Sequence, residues 1–411
     1  MPRVCASLAI VLCAGYTVRS AGQPTLRPDG AAAIDRMLQA AVDAGEVPGV
    51  VAAVTNRNDI VYLKAFGKRD VARDVPMSTD TIFRIASMTK PVTSVAAMML
   101  YEQGRLKLDD EAGMYVPSLS DPQVVMTFNQ AEKGPTYTTR PARRAITVRQ
   151  LLTHTSGMAY SFTSAVTLAL QLKTGKDQRD LPLLFDPGTR WQYSPATAAV
   201  GAIVEKVGGQ PLEEFDQARI FRPLGMADTS YLLPAEKAAR LATIHQREAA
   251  GLVESPNPPT YTPSVRGDGG LVSTASDYSA FLQMLLNEGA RRGTRLLKPE
   301  SVRLMTSNQI GSLVVDTMPA VMPRLSDAFP SGAGKDKFGL GFQIAVTDGT
   351  AAHERAAGSY SWGGIDNTHF WVDPKNGIGV VILTQVLPFY NPTSMDVLKR
   401  FEHLIYQNLL R

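Results

Sequence analysis

Runs rich in β-branched and apolar residues lie near both ends of this chain, with a long stretch of mainly helical signals between them. Gly49–Thr55 and Ile60–Phe66 flank Asn56-Arg57-Asn58-Asp59, the pattern of a hairpin. Far downstream, Gly341–Val346, His369–Val372 and Ile378–Gln385 have the same character. Strands this short are not stable alone, so the two ends have to meet in one sheet, with the intervening helices inserted as a lobe. The spacing predicts helices over Asp29–Gly45, where Ala33, Ile34, Met37, Leu38 and Ala41 share a side, over Ala196–Val207, and over Ser394–Leu410. Segments of about 120–145 and 312–337 read as long loops.

Where the first β-rich run gives way to helix stands Phe83–Leu100, which holds the only Ser-x-x-Lys of the chain, Ser87-Met88-Thr89-Lys90. Val92, Val95, Ala96, Met99 and Leu100 follow at helical spacing. Pro91 locates the helix start, because a proline deeper in a helix would clash with the carbonyl four residues back. Ser87 therefore sits at or just before the first turn. Three helical residues turn the chain by about 300° and advance it about 4.5 Å, which brings Ser87 and Lys90 to one face. A hydroxyl beside an amine at a helix start is a nucleophile next to a base. A capping serine followed by a surface lysine has the same spacing, so the rest of the chain has to supply the other parts of a site.

Three segments offer such parts. Asp186–Pro195 is a turn-rich loop that feeds the helix at Ala196, and Tyr193 at its end is a candidate acid/base, or else a packed tyrosine with a satisfied hydroxyl. Gly358–Gly364 leads into a strand-like run through Val372, and the pair Gly363-Gly364 lets a backbone approach another group closely, as an oxyanion-binding strand needs. Gly267–Ser276 is similarly glycine-rich and precedes a further helix. There is no Gly-x-Ser-x-Gly elbow and no Walker-type phosphate loop. The five histidines show no metal-binding spacing, and His154 and His369 read as packing residues. With 411 residues, 19% charged and a net charge of +4 spread along the chain, nothing points to nucleic acid as a partner.

The first 22 residues read as an export leader: Arg3, the largely apolar Val4–Val18, then small residues at Ser20-Ala21-Gly22. No apolar run reaches the length of roughly 18 residues needed to span a bilayer. Both cysteines, Cys5 and Cys13, lie in the leader, so a cleaved chain would be free of thiols and periplasmic or secreted.

In order along the chain, FRIASMTKPV, ITVRQLLTHTSGM, PGTRWQYSPATAAVGAIVE, IFRPLGMADTSY, GDGGLVSTASDYSAFLQMLLNEG and SYSWGGIDNTHFWVDP resemble the serine β-lactamase and penicillin-binding-protein superfamily, most closely the family VIII carboxylesterases. The resemblance implies an α/β (α+β) fold with an antiparallel sheet flanked by helices, the sheet lobe at about 23–85 and 262–411 and the helical lobe at about 86–261. It makes Ser87 the acylated nucleophile, Lys90 and Tyr193 its acid/base partners, and Trp362-Gly363-Gly364 the substrate-binding strand. It places the oxyanion hole at the backbone N–H groups of Ser87 and Ile365, and implies a small ester as substrate with no metal or organic cofactor. Two departures stand out. Trp362 occupies the position of the lysine in the β-lactamases' Lys-Thr-Gly, and Pro195 that of the asparagine in their Tyr-x-Asn. Both remove polar anchors for an anionic antibiotic, and an indole suits a neutral ester. The expectation is hydrolysis of short-chain esters. Its alternatives are a β-lactamase or D-amino-acid peptidase, an acyltransferase, and a cell-wall binding protein without catalysis.

Overall fold

The computed structural model describes residues 22–130, 134–255, 265–347 and 354–410; the leader expected over residues 1–22 lies, except for Gly22, outside them. Helix α1 (Pro28–Asp43) leads into strands β1 (Gly49–Thr55), β2 (Ile60–Asp70) and β3 (Val75–Pro76). Helix α2 (Thr89–Glu102) follows, then α3 (Ala196–Gly208) and α4 (Ala275–Leu286). Strands β4 (Lys337–Phe338), β5 (Gln343–Ile344), β6 (Tyr360–Gly364), β7 (Thr368–Asp373) and β8 (Ile378–Leu383) precede helix α5 (Pro392–Gln407).

The eight strands form one sheet in the order β4-β5-β6-β7-β8-β1-β2-β3, antiparallel throughout. The late strand β8 pairs with the early strand β1, which is the closure the two β-rich ends required. Helices cover both faces, so β1 is buried at every position and its sequence shows no polar alternation. Val51 and Ala53 join Phe370, Val381 and the apolar sides of α2 and α4 in one core. Val50, Ala52 and Val54 pack on the other face with Ile34 and Leu38 of α1 and Phe401 and Ile405 of α5.

Between α2 and α4 the chain is less helical than its sequence suggests. The expected loop at 120–145 holds a hairpin of Gln123–Asn129 on Thr136–Pro141, and a second hairpin pairs His245–Glu248 with Gly251–Glu254. The first is mostly exposed and carries Thr127 opposite Thr138, so its strand signal is β-branching without an apolar face. The segment 312–336 carries no helix and no strand, as expected of a loop. At the C-terminus the helix stops at Gln407, and Leu409–Leu410 pairs with Thr25–Leu26 instead of continuing it.

Candidate active site

Ser87 lies in a 3₁₀ turn, Ala86–Met88, that runs directly into α2, with Pro91 in the helix's first turn. The turn is held from several sides. Phe83–Arg84 pairs with Val272–Ser273, the Ile85 N–H donates to the Leu271 carbonyl at 3.1 Å, and Tyr278 donates to the Met88 carbonyl at 2.9 Å. Ala86 has φ +43°, a left-handed conformation that disfavours a Cβ by about 1–2 kcal/mol. Such strain survives only where the surroundings over-determine it, which fits a turn that presents a reacting side chain.

The sequence-predicted partners meet there. Tyr193 donates its hydroxyl to Ser87 Oγ at 2.6 Å, and Lys90 Nζ donates to the same oxygen at 3.0 Å. Lys90 is 1% exposed and also donates to Tyr160 Oη at 3.0 Å and to the Asp268 carbonyl at 2.7 Å. Tyr193 reaches Ser87 because α3 begins at Ala196 beside α2 and the preceding loop delivers the ring over Lys90.

Three residues of this network were not singled out from sequence. Tyr160 donates to Asp268 Oδ2 at 2.7 Å, and Arg266 binds both carboxylate oxygens of Asp268 at 3.0 and 2.9 Å. Burial would push the Asp268 carboxyl up, but the Lys90 charge and Arg266 hold it below its ordinary value. Burial and Asp268 push the Tyr160 phenol well above its own. The glycines around Asp268 carried the available signal. A Cβ on Gly267 would stand 2.8 Å from Thr93 Cγ2 and 2.9 Å from the Thr197 carbonyl, so the loop is wedged between α2 and α3.

Strand β6 forms the facing wall. A Cβ on Gly364 would lie 2.3 Å from the Ile85 carbonyl oxygen, the close approach expected of this glycine pair. On Gly363 it would meet His369 Nδ1 at 2.8 Å. Ile365, the next residue, lines the same cavity as Ser87. Trp362 is largely buried, its ring 5.0 Å from that of Tyr193 and 5.4 Å from Phe338, with Nε1–H donating to Tyr193 Oη at 3.4 Å. The position that carries a cation in β-lactamases is thus an aromatic box.

Neither histidine reaches Ser87. His154 packs edge-on against Tyr193 at 4.9 Å with Nδ1 3.2 Å from Ser194 Oγ, and burial followed by the Lys90 charge drives it well below its ordinary value. His369 stacks on Phe389 at 5.7 Å, and burial followed by Arg355 lowers it to about 3. Both are neutral packing groups.

The cavity over Ser87 has a volume of about 430 Å³. Phe162, Leu271, Phe329, Trp362, Ile365 and Phe389 make it largely apolar, with Arg84, Arg266 and Asp366 at polar positions. Burial raises the Asp366 carboxyl to about 6 against the opposing charge of Arg84. Among the described residues no group of three or more His, Cys, Asp or Glu could hold a metal ion, and no helix is long and apolar enough to cross a membrane. The arrangement offers a hydroxyl with two proton-exchanging partners, a close-packed backbone wall and an apolar chamber.

The chain is similar to known proteins over most of its length. A family model described as Beta-lactamase matches residues 34–402. The monacolin J acid methylbutanoyltransferase of Aspergillus terreus is 31% identical over 92% of this chain and 97% of its own length. The lovastatin esterase of Penicillium rubens is 30% identical, covering 91% and 98%. Among solved structures, a mutant of simvastatin synthase from Aspergillus terreus superposes with a TM-score of 0.80 at 28% identity, over 93% of this chain and 98% of that one.

Proposed function

The chain belongs to the beta-lactamase family, as an enzyme of its serine-hydrolase and acyltransferase class, and from that premise we propose that Ser87 carries an acyl group from an ester donor to an alcohol, with water as the competing acceptor. Ester cleavage through an acyl-enzyme is common ground for the hydrolytic reading and its transferase alternative. Similarity over nearly the whole length to a methylbutanoyltransferase favours the alternative. The observation that carries the proposal is the pair of short contacts on Ser87 Oγ, 2.6 Å to Tyr193 and 3.0 Å to Lys90, at the floor of an apolar chamber that suits a neutral acyl chain and a bulky alcohol.

In this reading Ser87 Oγ attacks the donor's carbonyl carbon while its proton passes to the Lys90–Tyr193 pair. The carbonyl oxygen becomes anionic between the N–H groups of Ser87 and Ile365, each worth about 3 kcal/mol in such a role. The C–O bond to the donor alcohol breaks, that alcohol leaves with the proton, and Ser87 holds the acyl ester. An acceptor alcohol, or water, then gives its proton to the same pair while its oxygen bonds to the acyl carbon, the Ser87 Oγ–acyl bond breaks, and the pair returns the proton to Ser87 Oγ.

A p-nitrophenyl butyrate assay with and without an added secondary alcohol tests the proposal. Expected are a new butyrate ester that grows with alcohol concentration, butyrylation of Ser87 alone by peptide mapping, and loss of both in Ser87→Ala. Turnover by Ser87→Ala, or labelling of a different serine, would overturn it; butyrate as the only product at every alcohol concentration would return the enzyme to hydrolysis. Export is part of the same proposal and rests on Arg3, the apolar Val4–Val18 and the small residues at 20–22. Periplasmic protein beginning near Ala21 or Gln23 is expected, and a cytoplasmic chain beginning at Met1 or Pro2 would refute it.

A further inference from the structure

The buried group behind Lys90 has a hydrogen-bond direction that bears on the reaction. Three oxygens surround Lys90 Nζ: Ser87 Oγ at 3.0 Å, Tyr160 Oη at 3.0 Å and the Asp268 carbonyl at 2.7 Å. A backbone carbonyl can only accept. The Asp268 carboxylate, fixed from its outer side by Arg266, takes the phenolic proton of Tyr160 at 2.7 Å. Tyr160 therefore has only a lone pair to offer the lysine. An amine in this position has two of its hydrogens claimed on the side away from Ser87. Whatever remains, a third hydrogen or the lone pair, points at Ser87 Oγ.

We propose that Asp268 and Tyr160 are positioning residues for Lys90, engaging two of its N–H bonds so that its remaining valence is aimed at Ser87 Oγ when that oxygen loses its proton to the Lys90–Tyr193 pair. In that step the Ser87 O–H bond breaks, its proton bonds to the pair, and the freed electron pair of Oγ forms the bond to the acyl carbon. Asp268 itself exchanges no proton. The low charge-carrying range of its carboxyl and the raised one of the Tyr160 phenol keep the proton between them on the tyrosine. The loop is built to hold this arrangement. Gly267 fits closely between α2 and α3, Thr93 donates to its carbonyl at 2.7 Å, and the Leu271 N–H donates to Thr89 Oγ1 at 3.1 Å, so both ends of the loop are tied to the helix that carries Lys90.

The inference rests on the acyl-transfer reading of Ser87 and Lys90, and its test separates the two. Asp268→Asn keeps the shape but gives the side chain an N–H₂ that can donate to Tyr160, turning the phenolic hydrogen toward Lys90, where it displaces one of the two N–H bonds that hold the amine. Expected is a fall in kcat of roughly 10- to 100-fold with KM within about twofold, and an equally slowed reaction of Ser87 with a fluorophosphonate. Tyr160→Phe, which removes one oxygen and serves alone if the asparagine variant does not fold, should do the same. In a Lys90→Ala background neither change should slow the residual labelling further, because the group they act through is gone. A kcat within twofold of wild type in the variants, or equal losses with and without Lys90, would overturn the positioning role. Absence of labelling at Ser87 in the wild type would instead overturn the acyl-transfer reading beneath it.

Discussion

At the scale of single residues, the site turns on two donors, a phenol and an amine, that share one oxygen. Tyr193 sits 2.6 Å from Ser87 Oγ, so Tyr193→Phe should leave the fold intact and lower turnover by roughly 10²–10⁴, the range for a lost acid/base. Turnover within threefold of wild type would make Tyr193 a packing residue. Trp362 has two jobs that its sequence position alone did not separate. It walls the chamber, and it supports Tyr193 through its ring and a long N–H contact. An anionic lactam finds indole where related enzymes present an ammonium, and a lost charge-assisted hydrogen bond is worth about 1.5–3 kcal/mol. With the polar contact of the asparagine also absent at Pro195, the kcat/KM for p-nitrophenyl butyrate is expected to exceed that for any penicillin by at least about a hundredfold. Comparable values for the two substrates would refute this. Trp362→Lys is not a clean specificity swap, because it would put a charge among Phe338, His154 and Tyr193 and destabilise the fold. Trp362→Phe keeps the wall and removes only the N–H, and should lower kcat by less than about tenfold with the ester preference intact.

At the scale of elements, β6 and the Ser87 turn are two backbones pressed together, and the glycine at their contact sets the spacing. Gly364→Ala places a methyl 2.3 Å from the Ile85 carbonyl and from Thr368 Oγ1. The strand or the turn has to move, at a cost of about 1–3 kcal/mol. Urea denaturation should show that loss, and kcat should fall more than KM changes, since Ile365 moves with the strand. Unchanged stability and turnover would mean that the approach is slack. The elements themselves were legible where their pattern is strong. The β1–β2 hairpin, α1, α5 and the start of α2 stand within a few residues of where periodicity and Pro91 place them. The Gln123–Pro141 hairpin was not, because neither strand has a continuous buried face to set a period.

At the scale of the whole molecule, a buried carboxyl on α4 links stability to pH. Asp277 accepts from the Asp228 N–H at 2.7 Å and from Thr229 at 2.9 Å, both on Oδ2, and burial raises it to about 6. Its unfolded value is about 3.9, so between those two values the native state binds more protons than the unfolded one. Stability from this group is present at low pH and lost as pH rises toward and past 6, by about 1 kcal/mol between pH 5 and 7.5. Asp277→Asn keeps an oxygen for both donors and cannot ionise, so its stability relative to wild type should improve by that amount across the same interval. A difference that does not change with pH, read from urea denaturation at both ends, would refute the linkage.

What the sequence determined by itself is the chemistry that lies within one turn or one recognisable segment. Ser87 and Lys90 are three residues apart beside a proline, Tyr193 closes a turn-rich loop, and the glycines at 363 and 364 announce a close approach. Two β-rich ends were enough to require one sheet. The tertiary structure alone decided who stands behind Lys90. Tyr160 is 70 residues from it and Asp268 is 178. Periodicity records which side of an element is buried, but carries no record of which other element will face it. A hydrogen bond between side chains so far apart leaves no spacing to read, and becomes visible only when the helices and the glycine loop are packed together.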